Sequence, residues 1–169
     1  MIALKPGDEV AGVSQGSDSD ELIFVTSDAQ LLRFGASAVR PQGASAGGMA
    51  GINLSPKATV IFFTALSSTT DAVVATISTS TSTIAGTDSG RGKVSVITEF
   101  PGKGRATGGV RAHSFLKGED ALAVAWVGAS PALASGPDGS VRQLPESGAK
   151  RDATGTALDG VVGSIGSSI

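Results

Sequence analysis

The sequence predicts an all-β fold built from repeated units of short antiparallel strands, and three observations carry that prediction. Runs rich in Val, Ile, Phe and Thr recur as ELIFVTS, TVIFFTAL, DAVVATIS, KVSVITEF and ALAVAWVG. Each has strand length and is bounded by Gly, Pro, Asp or Ser, while no window sustains a helical i, i+3, i+4, i+7 stripe for three turns. The 24 glycines and 7 prolines supply the turns that many short strands need.

The third observation is a repeat. Gly43, Gly47 and Gly48 in GASAGGMAGINL match Gly104, Gly108 and Gly109 in GRATGGVRAHSF, 61 residues further on, with Met49 opposite Val110. Upstream, LLRF (31–34) and KVSV (93–96) read as similar strands; downstream, LSPKATVIFF and LKGEDALAVAW each lead through a turn into another strand. A third copy is expected at KRDATGTALDGVV (150–162), with ATG (153–155) set against ATG (106–108), and IALKPGDEVAGV (2–13) resembles the closing half of a unit. The expected division is a single domain with units of approximately 14–63, 71–127 and 128–169, preceded by the end of another unit at 1–13. Units of four or so strands that cannot bury their own faces indicate blades arranged around an axis. The Ser/Thr-rich residues 64–89 hold an outer strand at DAVVATIS and a loose part at 78–89.

Composition narrows the function classes. At 169 residues, 40% hydrophobic and 17% charged, the chain is expected to fold as one compact body. The lack of Cys excludes disulfides, zinc fingers, iron–sulfur clusters and thiol nucleophiles, and makes a cytoplasmic location the simpler expectation. MIALKPGDEV has no signal-peptide pattern, and ALAVAWV is far shorter than the roughly 20 apolar residues that span a bilayer, so no membrane partner is expected. Formal net charge is −2, but its distribution is uneven. Residues 1–30 set Lys5 against Asp8, Glu9, Asp18, Asp20, Glu21 and Asp28, whereas residues 91–111 set Arg91, Lys93, Lys103, Arg105 and Arg111 against Glu99 alone.

GKGRATGGVRAH (102–113) is the centre of that basic window. As a nucleotide loop it lacks the Lys followed by Ser or Thr after the second glycine, and no helix pattern follows it. His113 is the single histidine, without His or Cys partners for a metal and without a G-x-S-x-G elbow for Ser–His–Asp catalysis. It is expected to be a half-buried or solvent-facing structural residue, Trp126 a core residue, and Asp8, Glu119 and Asp120 turn residues before strands. No cofactor or metal is implied. The alternative for this loop is that its glycines are blade-corner residues with positive φ beside merely solvated charges.

The segments LIFVTSDAQLLRFGASAVRPQG, AGGMAGI and KGRATGGVRAHSFLKGEDAL resemble a blade of the C-terminal domain of the A subunit of bacterial type II topoisomerases, DNA gyrase and topoisomerase IV. The resemblance spans nearly the whole chain and is weakest over the final 40 residues. It implies a partial β-pinwheel of about three blades that exchange strands with their neighbours and bend duplex DNA around a basic rim. It also implies that the partners are double-stranded DNA and the B subunit, together with the rest of the A subunit, in the bacterial nucleoid. The gyrase hallmark loop, reading like QRRGGKG, has no match; RPQGASAGG (40–48) and KGRATGG (103–109) come nearest, which fits a topoisomerase IV-like or divergent subunit.

Wrapping a duplex without sequence readout needs Lys and Arg along a convex edge and Gly-rich turns whose N–H groups approach phosphates. Arg91, Lys93, Lys103, Arg105 and Arg111 are the expected phosphate contacts, followed by Arg33, Arg40, Lys150 and Arg151. Seven aromatics, all Phe or Trp and mostly within strand-like runs, disfavour single-strand stacking. In the expected alignment Ala44 and Asp152 stand at the place of Arg105, and Ala50 at the place of Arg111, so one unit carries the full basic loop and binding should be weak and salt-sensitive. Topoisomerase cleavage requires a tyrosine nucleophile, which this chain does not contain, so a non-catalytic DNA-handling module is implied. The acidic GSDSDE (16–21) reads as a solvated loop or a competitor for the rim. The alternative from a different class is a propeller-like module that binds a protein or carbohydrate and not DNA, supported by the negative net charge.

Overall fold

The computed structural model describes residues 3–67, 71–84 and 86–168. Within them the strands form three antiparallel sheets. The first comprises β1 (Asp20–Thr26), β2 (Gln30–Gly35), β3 (Val60–Ser67) and the two-residue β6 (Val110–Arg111), in the order β3-β1-β2-β6. The second comprises β4 (Ala72–Thr79), β5 (Arg91–Val96), β7 (Ala121–Ala129) and β10 (Thr156–Ala157), in the order β10-β5-β4-β7. The third is β11-β8-β9, from Ser164–Gly166, Leu133–Ser135 and Val141–Arg142.

The edge strands β6 and β10 come from the unit that follows in sequence. Leu31 pairs with Val110 in the first sheet, and Gly92 pairs with Thr156 in the second. Each Gly-rich loop therefore closes the sheet before its own, and the array is knitted together by backbone bonds as well as by packing.

The hydrophobic runs sort by layer. Ile23, Val25 and Leu31 of the first sheet pack with Val74, Leu122 and Val127 of the second and with Phe100. The other face of the second sheet, Val73, Ala75 and Val94, packs with Trp126, Leu144 and Ile165. Because the second sheet is covered on both faces, β4 is buried at seven consecutive residues, which is why DAVVATIS is a nearly unbroken apolar run. Ser78 and Thr79, expected to begin a loose segment, belong to this strand; Thr83 and Thr87 then close turns by donating backbone N–H to Ser80 and Ile84.

The repeat is also written in backbone conformation. Lys57 (φ 68°), Gly118 (φ 98°) and Gly7 (φ 87°) occupy the same turn position, one residue before an N–H that closes the turn onto Ser55, Leu116 and Lys5. Asp8 and Glu119 brace two of these turns by accepting the N–H of Lys5 at 3.0 Å and of Leu116 at 2.8 Å, and Asp120 accepts the N–H of Thr81 at 2.7 Å.

Candidate nucleic-acid interface

The Gly-rich loops contact one another in sequence order. Thr107 accepts the N–H of Asn53 at 3.0 Å, and Ala153 accepts that of Ser114 at 3.2 Å. Ala46 accepts the N–H of Ala3 at 3.3 Å, so the same bond occurs three times. A second repeated bond is made by side chains: Arg105 Nη1 donates to the Ala50 carbonyl at 2.6 Å, and Arg151 Nη1 donates to the Arg111 carbonyl at 3.3 Å.

These bonds fix the alignment of the third copy. Val110 corresponds to Thr156, 46 residues on, which places Arg151 and not Asp152 opposite Arg105. The expected loss of Arg from the third loop is thus overturned, because matching ATG to ATG shifts the loop by one residue. Ala44 and Ala50 remain at the corresponding places of the first loop.

The nine expected phosphate contacts divide by environment. Arg40, Lys103, Arg111 and Lys150 are exposed, and Arg105 and Arg151 are half-buried with one guanidinium nitrogen engaged. Lys103 also donates its backbone N–H to the Arg33 carbonyl at 3.0 Å. These six lie on the connected loops or their approaches. The remaining three are engaged by other parts of the fold, Arg33 and Arg91 half-buried and Lys93 buried. Arg33 pairs with Glu21 at 3.0 Å, which uses part of the acidic GSDSDE stretch internally; Asp20 of that stretch accepts the N–H of Ser17 at 2.8 Å. Arg91 Nε donates to the Gly155 carbonyl at 2.8 Å.

Lys93 is the sharpest departure from expectation. It is 3% exposed, and its ammonium donates to the carbonyls of Lys150, at 3.1 Å, and Arg151. Burial lowers its pKa to about 8, with Asp152 nearby opposing that shift. An ammonium enclosed by two carbonyls inside the fold has no face left for a phosphate.

His113 is likewise fully buried, at 1% exposure, where a half-buried or solvent-facing residue was expected. Its Nε2 accepts the N–H of Gly155 at 3.2 Å, which leaves Nδ1 as the protonated nitrogen, 2.9 Å from the Thr76 hydroxyl. Burial first and the charge of Lys93 second hold its pKa down at about 4, so the ring is neutral. Nothing in the sequence around RAHSF signals this role, because the partner Gly155 is brought in by the exchanged strand. Among the described residues no cluster of three or more His, Cys, Asp or Glu could hold a metal.

The family model described as the DNA gyrase C-terminal domain, beta-propeller, matches residues 20–67 and 83–124, just over half of the chain. The chain belongs to the DNA gyrase C-terminal domain family. It is 32% identical over 109 residues to the A subunit of DNA gyrase from Escherichia coli (strain K12), a match covering 64% of this chain and 11% of that protein. The chain therefore spans about a ninth of the length of this curated relative. A solved DNA gyrase A C-terminal domain superposes with a TM-score of 0.75 at 14% identity, covering 97% of this chain and 56% of that one. A DNA topoisomerase IV C-terminal domain superposes with a TM-score of 0.69 at 19% identity, covering 88% and 46%. The fold is thus the expected all-β partial β-pinwheel, its three sheets linked by exchanged strands. No helix among the described residues is long and apolar enough to cross a membrane.

Proposed function

We propose that this pinwheel binds double-stranded DNA through the phosphate backbone, along the edge formed by its connected loops. The observation that carries this reading is the chain of loop-to-loop bonds: Arg105 to Ala50 ties the second loop to the first, and Arg151 to Arg111 brings together residues of the third and second loops that both carry a guanidinium. Arg40, Lys103, Arg105, Arg111, Lys150 and Arg151 are the contacts; Arg33 is paired with Glu21, Arg91 is bonded to Gly155, and Lys93 is buried. Glycine at the loop corners lets backbone N–H groups approach phosphates, and no base edge needs to be read. On this reading the chain is a non-catalytic module that bends duplex DNA for a type II topoisomerase in the bacterial nucleoid. Its protein partners are the B subunit together with the remainder of the A subunit.

The test is binding to a labelled duplex of about 40 base pairs across a salt series, beside the double variant Arg105→Ala/Arg111→Ala. Each lost phosphate contact should flatten the log–log salt slope by about 0.9. No binding at low salt would sink the reading.

A second reading, a module that binds protein, draws on a groove of about 430 Å³ whose lining includes Leu22, Phe24, Phe34 and Phe63 on the outer face of the first sheet. Duplex binding lost in the loop variant but kept in Phe24→Ser separates the two.

A further inference from the structure

The two exchanged loops lie on equivalent strands but are held differently. Where the second loop crosses β2, Lys103 donates its N–H to the Arg33 carbonyl; where the third crosses β5, Ala149 donates to the Val94 carbonyl at 3.1 Å. One residue upstream of these acceptors stand Leu32 in the first sheet, 1% exposed, and Lys93 in the second, 3% exposed. Leu32 can only pack. Lys93 reaches the turn itself and binds two of its carbonyls, those of the residues that carry the Lys150 and Arg151 side chains.

The surroundings assign the ammonium to this task. Its neighbours of opposite charge are Asp152 within the loop and Glu99 beyond the far end of β5. Arg151 is its neighbour of like charge, and the neutral ring of His113 is adjacent. His113, Arg91 and Ser114 secure the following residues through Gly155, Asp152 and Ala153, while β5 secures Gly148 and Ala149. Between those two anchor points, no other side chain binds the carbonyls of Lys150 and Arg151 among the described residues.

We infer that Lys93 is a positioning residue: it fixes the third basic loop from inside the fold, so that Lys150 and Arg151 are presented to DNA phosphates, and touches no phosphate itself. This rests on the duplex-binding reading for its consequence, though the anchoring is a property of the protein alone. The ion–dipole bonds hold the turn's carbonyls inward, which leaves its cationic side chains facing outward at little entropic cost on binding.

Lys93→Leu gives the second blade the residue the first blade already uses, so the chain is expected to fold. Without DNA, amide exchange at Ala153, whose N–H is donated to the Lys150 carbonyl at 3.0 Å, should quicken at least tenfold while exchange in β4 is unchanged; an unchanged rate at Ala153 would overturn the anchoring. With a 40-base-pair duplex, affinity should drop several-fold with the salt slope preserved. The drop should vanish when Lys93→Leu is added to Lys150→Ala/Arg151→Ala, since residues acting through one another are non-additive. A slope lower by about 0.9, with an additive loss, would make Lys93 a direct contact and overturn the inference. If the unaltered protein binds no duplex, the DNA reading and its consequence fail together, and the exchange rates alone decide the anchoring.

Discussion

Arg151 donates from Nη1 to the carbonyl of Arg111 at 3.3 Å, so a cation of the third loop is fastened to the strand that the second loop inserts into the first sheet. Arg105 makes the same bond to Ala50 one unit earlier. A guanidinium carries five donors, and each of these bonds uses one, leaving the rest of the fork for a phosphate. Arg151→Lys should therefore be a poor replacement, because an ammonium has no planar fork with which to bridge carbonyl and phosphate. Duplex affinity at low salt is expected to fall several-fold for Arg151→Lys and further for Arg151→Ala. Equal affinity for Arg151→Lys and the unaltered chain would show that charge alone matters there.

Gly109 has φ 75°, and a Cβ at this position would run into the Leu31 carbonyl just where β6 joins the first sheet. Gly109→Ala should destabilise the fold by at least about 1–2 kcal/mol, the cost of a left-handed backbone for a residue with a side chain, with the overlap adding to it. Gly104, in the same loop, meets nothing within 4 Å and has no left-handed backbone, so Gly104→Ala should stay within about 0.5 kcal/mol. Denaturant unfolding of the pair checks both.

The strands and the first two loops are legible in the sequence because apolar runs and paired glycines are local signals. Gly48 and Gly109 share a positive φ, 79° and 75°, for the reason the sequence repeats them there. The fate of each cation is not legible. Lys93 and Lys103 look alike in the chain, yet one is sealed under the third loop and the other is exposed, and the difference depends on where residues 150–151 come to rest. Matching ATG to ATG misaligns the third copy by one residue for a similar reason: its register is set by pairing with Gly92, a contact between segments some 60 residues apart.

Ser95 is fully buried, and its hydroxyl finds no partner among the described residues. A buried hydroxyl without a hydrogen bond has given up its hydration for nothing, at roughly 1–3 kcal/mol. Ser95→Ala should accordingly be neutral or stabilising by up to about 1 kcal/mol, read as an upward shift of the denaturant midpoint at constant m-value. A loss above about 1 kcal/mol would mean that the hydroxyl has a partner in solution.

His113 makes stability depend on pH in a direction that follows from its environment. Its folded pKa is about 4, against 6.5 for an ordinary histidine. Between those values the unfolded chain takes up a proton that the folded chain refuses, so stability rises with pH across the window. The contribution is fully present above about pH 6.5 and is lost as pH falls toward 4; its full size is roughly 3 kcal/mol. Protonation would remove the acceptor for the Gly155 N–H and place a second cation beside Lys93, so the exchanged strand β10 should loosen first. Denaturant unfolding at pH 7, 6, 5 and 4, with His113→Gln alongside, separates this from carboxylate titration. The unaltered chain should lose stability from pH 6.5 downward, and His113→Gln, less stable at pH 7, should show a flatter profile to pH 5. Parallel profiles for the two would mean that the ring titrates in the folded protein much as it does in the unfolded one.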